Sequence, residues 1–131
     1  MTDSAEGRPA VKVIAFLSRL PHVAHEQFKA HYEQQHVPMI LELLPMLRCY
    51  ERNYPDPARM RLRQEGVDGV LGYDAVTTFK FTDLETFGAY KTAMKTPAIQ
   101  NKIREDESKF LDRSKTRVFF LEEHASADVP L

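Results

Sequence analysis

The fold of this chain is decided by residues Phe28–Pro45, which read FKAHYEQQHVPMILELLP. At about 3.6 residues per turn the stretch predicts an amphipathic helix. Within about 80° of one another, on one stripe of that helix, lie Phe28, Tyr32, His36, Met39 and Leu43. Because Pro38 has no N–H, the carbonyl of Gln34 lacks its helical partner, and we expect a break or kink at His36–Pro38. An imidazole on a buried stripe beside a helix break makes His36 the leading candidate for chemistry.

Four other segments have the composition and alternation of β-strands. They are Val11–Arg19, Leu47–Tyr54, Tyr73–Phe81 and Arg117–Glu123. Thr82–Glu85 has the pattern of a capping box and opens a second helix. That helix is interrupted and restarted at Thr96-Pro97, where Thr96 is able to cap and proline is tolerated at the first helical position.

The order strand, helix, strand, strand, helix, strand predicts an α+β fold, the ferredoxin-like βαββαβ arrangement, with both helices on one face of an antiparallel sheet. We expect the second face to carry Ile14, Phe16, Tyr50, Tyr54 and Val76. Such a face is too apolar to stay in water. A symmetric homodimer that pairs two of these faces would cover them and enclose a cavity.

The length of 131 residues corresponds to one domain. We expect a flexible N-terminal tail at residues 1–10, the domain at 11–124 and a C-terminal tail at 125–131. Pro55–Gly72 is predicted to be a long loop, of the kind that often forms a lid or binding loop.

Composition excludes several classes of partner. The formal net charge of −1 gives no general attraction to nucleic acid or to anionic membranes. No apolar run approaches the roughly 20 residues that span a bilayer, and no signal peptide is visible. A single cysteine, Cys49, rules out an intrachain disulfide and fits a reducing compartment, so we expect a cytoplasmic protein.

Four sequence blocks resemble those of the EthD family, named from ethyl tert-butyl ether degradation. The blocks are HYEQQHVPMI (31–40), YERNY (50–54), YDAVTTFKFTD (73–83) and EDESKFLDRSKTRVFFLEE (105–123). The resemblance spans Val11 to His124 and implies a dimeric α+β barrel. Related sequences include cofactor-free decarboxylases, dehydratases and cyclases that act on aromatic polyketides. Other members are known only as accessories to oxidative degradation, so the resemblance supports the fold more firmly than a reaction.

His36 and Asp106 are the candidate proton-transfer pair. His36 and Pro38 match the H-x-P pattern of the family, and an imidazole titrates near neutral pH. The alternative is a core histidine bonded to a backbone carbonyl such as that of Gln34. Asp106 interrupts the apolar stripe Ile99, Ile103 and Phe110. It is either a structural acceptor for a backbone N–H or an arginine, or the group that orients His36.

The second strand supplies Tyr50 as a further catalytic candidate. Its hydroxyl and that of Tyr54 could bond a phenolic or enolic substrate, although both rings could simply fill the barrel. Arg52 is the natural partner of a substrate carboxylate, with a surface salt bridge as the alternative. We also assign substrate binding to Tyr32, Asp74 and Thr78.

We expect neither a metal nor a cofactor. His31 and His36 are five residues apart, about 140° on an α-helix, which is unsuitable for ligating one metal. There is no phosphate loop or dinucleotide fingerprint.

Three functions remain open. The first is an enzyme that holds a small aromatic or polyketide-like substrate while His36 moves a proton in a decarboxylation, dehydration or cyclisation. The second is a non-catalytic protein that carries an apolar metabolite for an oxidative pathway. The third is a haem-binding monooxygenase, because related barrels bind haem through a histidine.

Overall fold

The computed structural model, which describes residues 10–56, 72–124 and 126, contains one antiparallel sheet covered on one face by helices. Its strands are β1 (Ala10–Leu17), β2 (Arg48–Asn53), β3 (Ala75–Phe81) and β4 (Arg117–Glu123). They lie in the order β2-β3-β1-β4, and each neighbouring pair is antiparallel. The ferredoxin-like prediction is confirmed. Most of the predicted tails and of the predicted loop, at 1–9, 57–71, 125 and 127–131, lies outside the described residues.

The first helical segment does not end at Pro38. It runs as α1 (His25–His31), a π-helical turn (Tyr32–His36) and α2 (Val37–Leu43). Within the π turn the Val37 N–H donates to the Tyr32 carbonyl, five residues back. Proline removes one helical donor and crowds the preceding turn, and a π turn accommodates such a disruption without breaking the helix. The predicted break is therefore wrong, and a local widening of the helix takes its place.

The π turn also changes which side chains are buried. In an α-helix, each fourth residue lies about 40° further round the axis, so a row of such residues gradually leaves the core. The wider π turn holds an extra residue and offsets this rotation. The buried row is consequently Phe28, Tyr32, His36, Ile40 and Leu44. Met39 and Leu43, which the α-helical stripe places at its centre, are only partly buried.

The second helical segment consists of α3 (Leu84–Met94) and α4 (Pro97–Glu107), interrupted where the sequence predicts. The cap of α3 is Asp83, whose carboxylate accepts the Thr86 N–H, one residue later than the predicted capping box. At the start of α4 the Thr96 hydroxyl donates to the Thr92 carbonyl instead of capping. No helix in the described ranges is long and apolar enough to cross a membrane.

The face of the sheet that meets the helices differs from the prediction in strand β2. Tyr50 and Tyr54 lie on the helix side, where both rings pack against the core cluster that contains Tyr32. A bulge breaks the alternation, because Arg48 pairs with Lys80 and Glu51 with Thr78, while Cys49 has a positive φ of 54°. The opposite face keeps Ile14, Phe16, Val76, Thr78, Phe119 and Leu121.

Candidate functional site

A cavity of about 170 Å³ lies between the helices and the sheet. Most of its wall is apolar, with contributions from Val13, Ile40, Leu44, Ile103 and Phe110. The polar side chains that line it are Tyr32, His36, Tyr50, Thr77, Glu107 and Thr116. This cavity lies within a single chain, on the side of the sheet that the helices cover, and it is distinct from the cavity that a homodimer is expected to enclose between two sheets.

His36 and Asp106 meet at the wall of this cavity. His36 Nδ1 lies 2.8 Å from Asp106 Oδ2, and the two side chains are 8% and 12% exposed. His36 comes from the π turn and Asp106 from the last turn of α4, so the pair connects the two helical segments. The alternative partner for His36, the Gln34 carbonyl, is not the one that the structure shows.

The pair favours one protonation state. Burial lowers the pKa of His36 below its ordinary value and outweighs the opposing effect of Asp106. For Asp106 burial acts to raise the pKa, but hydrogen bonds from His36 and His31 outweigh it, so the pKa is lowered. The carboxylate is therefore ionised and accepts the Nδ1–H of a neutral His36. The described residues give His36 Nε2 no hydrogen-bond partner, so this nitrogen is free to act as a base.

His31 is a member of the site that the sequence did not identify. Its Nε2 lies 3.0 Å from Asp106 Oδ1, so the two histidines share one carboxylate. Residues five apart diverge on an α-helix but come together across a π turn, in which the hydrogen bonds run from residue i to i+5. Pro38, two residues after His36, was the signal that could have indicated this irregularity.

Hydroxyl groups form another part of the cavity wall. Tyr50 donates to the Tyr32 oxygen at 3.4 Å, and Tyr32 and Thr77 share a hydrogen bond of 2.5 Å. Burial raises the pKa of both tyrosines, so both phenols stay protonated. Of the assigned residues, His36, Asp106, Tyr50 and Tyr32 come together here.

Arg52 and Tyr54 lie beside the cavity but bind a protein carboxylate. Arg52 holds Glu33 with both arms of its fork, at 3.0 and 2.7 Å, and its guanidinium lies 5.0 Å from the centre of the Tyr50 ring. The Tyr54 hydroxyl donates to the same Glu33. The geometry thus matches the salt-bridge alternative for Arg52. The same guanidinium packs on the Tyr50 ring and restrains it.

Asp74 and Thr78 lie away from the cavity. Asp74 accepts the backbone N–H of Arg19 and contacts His25 Nδ1, both at 2.8 Å, so it joins the end of β1 to the start of α1. Thr78 faces the other side of the sheet, where its hydroxyl lies 3.4 Å from Glu51 Oε1. The neighbouring Thr77 reaches the cavity instead.

Glu107 is the second site residue that the sequence did not identify. It follows Ile103 by one helical turn and therefore continues the buried stripe of α4. Burial raises the pKa of Glu107, and Arg113, whose Nε lies 3.6 Å from Oε1, opposes the shift only in part. A carboxyl group that holds its proton more readily than usual therefore faces the apolar cavity.

The side chains and the volume of the site indicate which metals and cofactors it could hold. Among residues 10–56, 72–124 and 126, no group of three or more His, Cys, Asp and Glu side chains could hold a metal ion. Sites for drug-sized ligands measure about 300–1,000 Å³. A haem macrocycle would require this cavity to widen substantially, so the geometry does not favour the haem hypothesis.

Comparison with solved structures shows the same fold. An ethyl tert-butyl ether degradation (EthD) family protein from Bacillus halodurans C-125 is 22% identical with a TM-score of 0.59, covering 88% of this chain and 99% of that one. A dimeric protein of unknown function and ferredoxin-like fold from Bacteroides fragilis NCTC 9343 is 11% identical with a TM-score of 0.54, covering 88% and 98%. HapK from Hahella chejuensis is 15% identical with a TM-score of 0.54, covering 92% and 98%.

Comparison with curated proteins gives no matching sequence. The family model described as the EthD domain matches residues 20–114. This range includes His31, His36 and Asp106, together with the tyrosines that line the cavity. The match covers well over half of the chain, and the chain therefore belongs to the EthD family.

Proposed function

We propose that this protein is an enzyme that moves a proton on a small aromatic or enolisable substrate, with His36 as the proton carrier. The observation that supports this most strongly is the His36–Asp106 pair. Asp106 fixes the Nδ1–H tautomer of a neutral imidazole that lines the cavity, and no other residue that the structure describes bonds to its Nε2. An ionised carboxylate behind a histidine orients the ring and stabilises the imidazolium that forms when Nε2 takes a proton.

The size of the cavity limits the substrate. A dry, engineered protein cavity of about 150 Å³ is large enough for benzene. At about 170 Å³ this cavity suits one aromatic ring or a short acyl chain rather than several fused rings. The Tyr50 and Tyr32 hydroxyls would bond the oxygen of a phenol or enol. Arg52 is occupied by Glu33, so we do not assign it to a substrate carboxylate.

The same groups serve dehydration, aldol-type cyclisation and decarboxylation. In a dehydration, His36 Nε2 takes a proton from the carbon next to a carbonyl, and the enolate oxygen accepts a hydrogen bond from tyrosine. The C–O bond then breaks, and the imidazolium returns its proton to the departing hydroxide, which leaves as water. The enzyme ends in its starting state, so this reaction consumes neither a metal nor a redox cofactor.

We further propose that the protein acts as a homodimer. The face of the sheet opposite the helices presents Ile14, Phe16, Val76, Phe119 and Leu121, and the last two are 48% and 41% exposed. An exposed apolar patch of this kind is typical of an interface. Lys12 and Lys80, which pair with Glu123, lie on the same face beside the patch. The similar fold from Bacteroides fragilis belongs to a protein described as dimeric, which supports the same assembly here.

Deuterium exchange tests the proposed chemistry without knowledge of the natural substrate. Resorcinol or 2,4-dihydroxybenzoate is incubated with the protein in D₂O, and loss of the ring C–H signals is followed by proton NMR. We expect exchange faster than in buffer alone, because a His36 imidazolium that carries a solvent deuteron can deliver it to the ring carbon and Nε2 can then take the proton that leaves that carbon. Saturable binding without exchange would instead support the carrier hypothesis. Equal exchange of a three-ring anthrone would overturn the proposed size limit.

A further inference from the structure

The His31–Asp106–His36 chain lies between two openings of the molecule. His36 lines the cavity, whereas His31 lines a cleft on the outer side of α1 together with His22, Gln27 and Lys109. Asp106 separates the two imidazoles, with one carboxylate oxygen toward each ring at 3.0 and 2.8 Å. The side chain of His31 is 23% exposed, against 8% for His36. One carboxylate therefore connects a buried imidazole to another that solvent can reach.

Packing fixes the geometry of this chain. The Phe110 ring centre lies 4.7 Å from that of His31 and 5.2 Å from that of His36, so it restrains both imidazoles. Apart from the two histidines, the cation that pairs with Asp106 Oδ1 among the described residues is Lys109, whose Nζ lies at 3.9 Å on a side chain that is 60% exposed. A mobile lysine at that distance cannot replace the hydrogen bond that the ring donates. The orientation of the carboxylate toward His36 thus depends on His31.

We propose that His31 is a positioning residue of the site, which holds the Asp106 carboxylate against His36 and couples the charge of His36 to the outer cleft. The proposal rests on the proposed function only in its assignment of His36 as the proton carrier. When His31 is neutral, the full negative charge of Asp106 stabilises an imidazolium at His36. When His31 is protonated, it shares that charge and repels a second proton, so His36 becomes a weaker base.

Among the residues that the structure describes, four titratable or charged groups lie around His31 and enter this coupling. Asp106 and Lys109 face it from α4 and the turn that follows, and His22 faces it from the loop before α1. His36 lies on the far side of Asp106 and interacts with the charge of His31. Because the two histidines share one carboxylate, the charge carried by residue 31 should alter the titration of His36.

Imidazole NMR titration of the full-length protein tests the coupling. For the wild type we expect the ¹⁵N shifts of His36 to follow a two-step curve. His31→Gln keeps an N–H donor for Asp106 but carries no charge, so His36 should titrate in one step that is shifted to higher pH. His31→Lys places a permanent cation there and should shift the His36 curve to lower pH. Opposite shifts in the two variants distinguish a charge effect from a merely structural role.

His25→Gln is the matched control, because His25 also lies on α1 and pairs with an aspartate, but with Asp74. It should leave the His36 curve unchanged. Superimposable His36 curves in the wild type, His31→Gln and His31→Lys would overturn the inference. The titration needs no substrate, so its failure is distinct from failure of the proposed function. Opposite shifts without deuterium exchange would support the coupling and contradict the enzymatic role.

Discussion

His36 Nδ1 lies 2.8 Å from Asp106 Oδ2, although the two residues are 70 positions apart in the chain. The contact joins the π turn of the first helical segment to α4 and leaves the other imidazole nitrogen at the cavity. The contact therefore contributes both to the stability of the fold and to the proposed proton transfer. Substitutions at His36 and Asp106 can separate these two contributions.

Replacement of Asp106 should destabilise the fold. Asp106→Leu removes the acceptor of two buried or half-buried rings, and the lost hydrogen bonding corresponds to about 1–3 kcal/mol of unfolding free energy. Chemical denaturation at pH 7 measures the change. Glu105→Gln, on the exposed face of the same helix, is the control and should be near neutral. An Asp106→Leu protein as stable as the wild type would show that the paired carboxylate contributes nothing to the fold.

The wild type should lose stability at mildly acidic pH because of His36. Its pKa is lowered in the folded protein, so the unfolded chain binds more protons as the pH falls below about 6.5. Folding stability from this group is therefore present above that pH and lost on acidification. Melting temperatures between pH 8 and 5 should fall less steeply for His36→Gln. Among the described residues, His22, His25 and His124 form no hydrogen bond or ion pair with Asp106 and are common to both proteins. His31 shares Asp106 with His36, so His31→Gln serves as a second background for the same comparison. Parallel curves would contradict the lowered pKa of His36.

Glu107→Gln should stabilise the protein at neutral pH. The pKa of Glu107 is raised by burial, so the folded state retains its proton more strongly than the unfolded chain. Stability from this group is present at low pH and is lost as the pH rises through the folded pKa. The neutral amide avoids that loss, and the weak contact with the half-exposed Arg113 contributes little in return. The gain should shrink as the pH is lowered toward 4, and a variant less stable than the wild type at pH 7 would contradict this account.

The homodimer can be tested by light scattering at micromolar concentration. We expect the mass of two chains for the wild type and of one chain for Phe119→Glu, which places a charge on the apolar sheet face. Leu84 is the control, because it is 72% exposed but lies at the start of α3. Leu84→Glu should remain dimeric. A monomeric wild type, or equal dissociation by both variants, would rule out this interface.

Alternating strands and the two helical patterns were sufficient to predict the architecture from the sequence. The sequence could not predict which side of β2 faces the helices. Both faces of β1 are apolar, and alternation shows only which residues share a face. Cys49 adds a bulge that places Arg48 on the face opposite Tyr50. Pattern alone cannot locate such a bulge.

His36, Tyr32 and Asp106 were identifiable because polar groups on apolar helical stripes require partners. Tyr50 was identifiable because its hydroxyl, on a predicted strand, could bond a substrate. His31 could not be identified from the sequence, because α-helical geometry directs it away from His36. The π turn brings both rings to Asp106. Asp74 was assigned to substrate, yet its charge serves the junction between β1 and α1. A sequence pattern shows that a carboxylate needs a partner but not which partner it finds.

The most direct test of the account compares catalysis with stability in a single variant, His36→Gln. We expect deuterium exchange into resorcinol to fall by about 10²–10⁴ relative to the wild type, the usual contribution of a proton-transfer residue. The variant should remain folded and dimeric, with exchange measured well below its melting temperature. A folded His36→Gln protein that exchanges the ring protons at the wild-type rate would contradict the central claim and show that His36 is a structural residue.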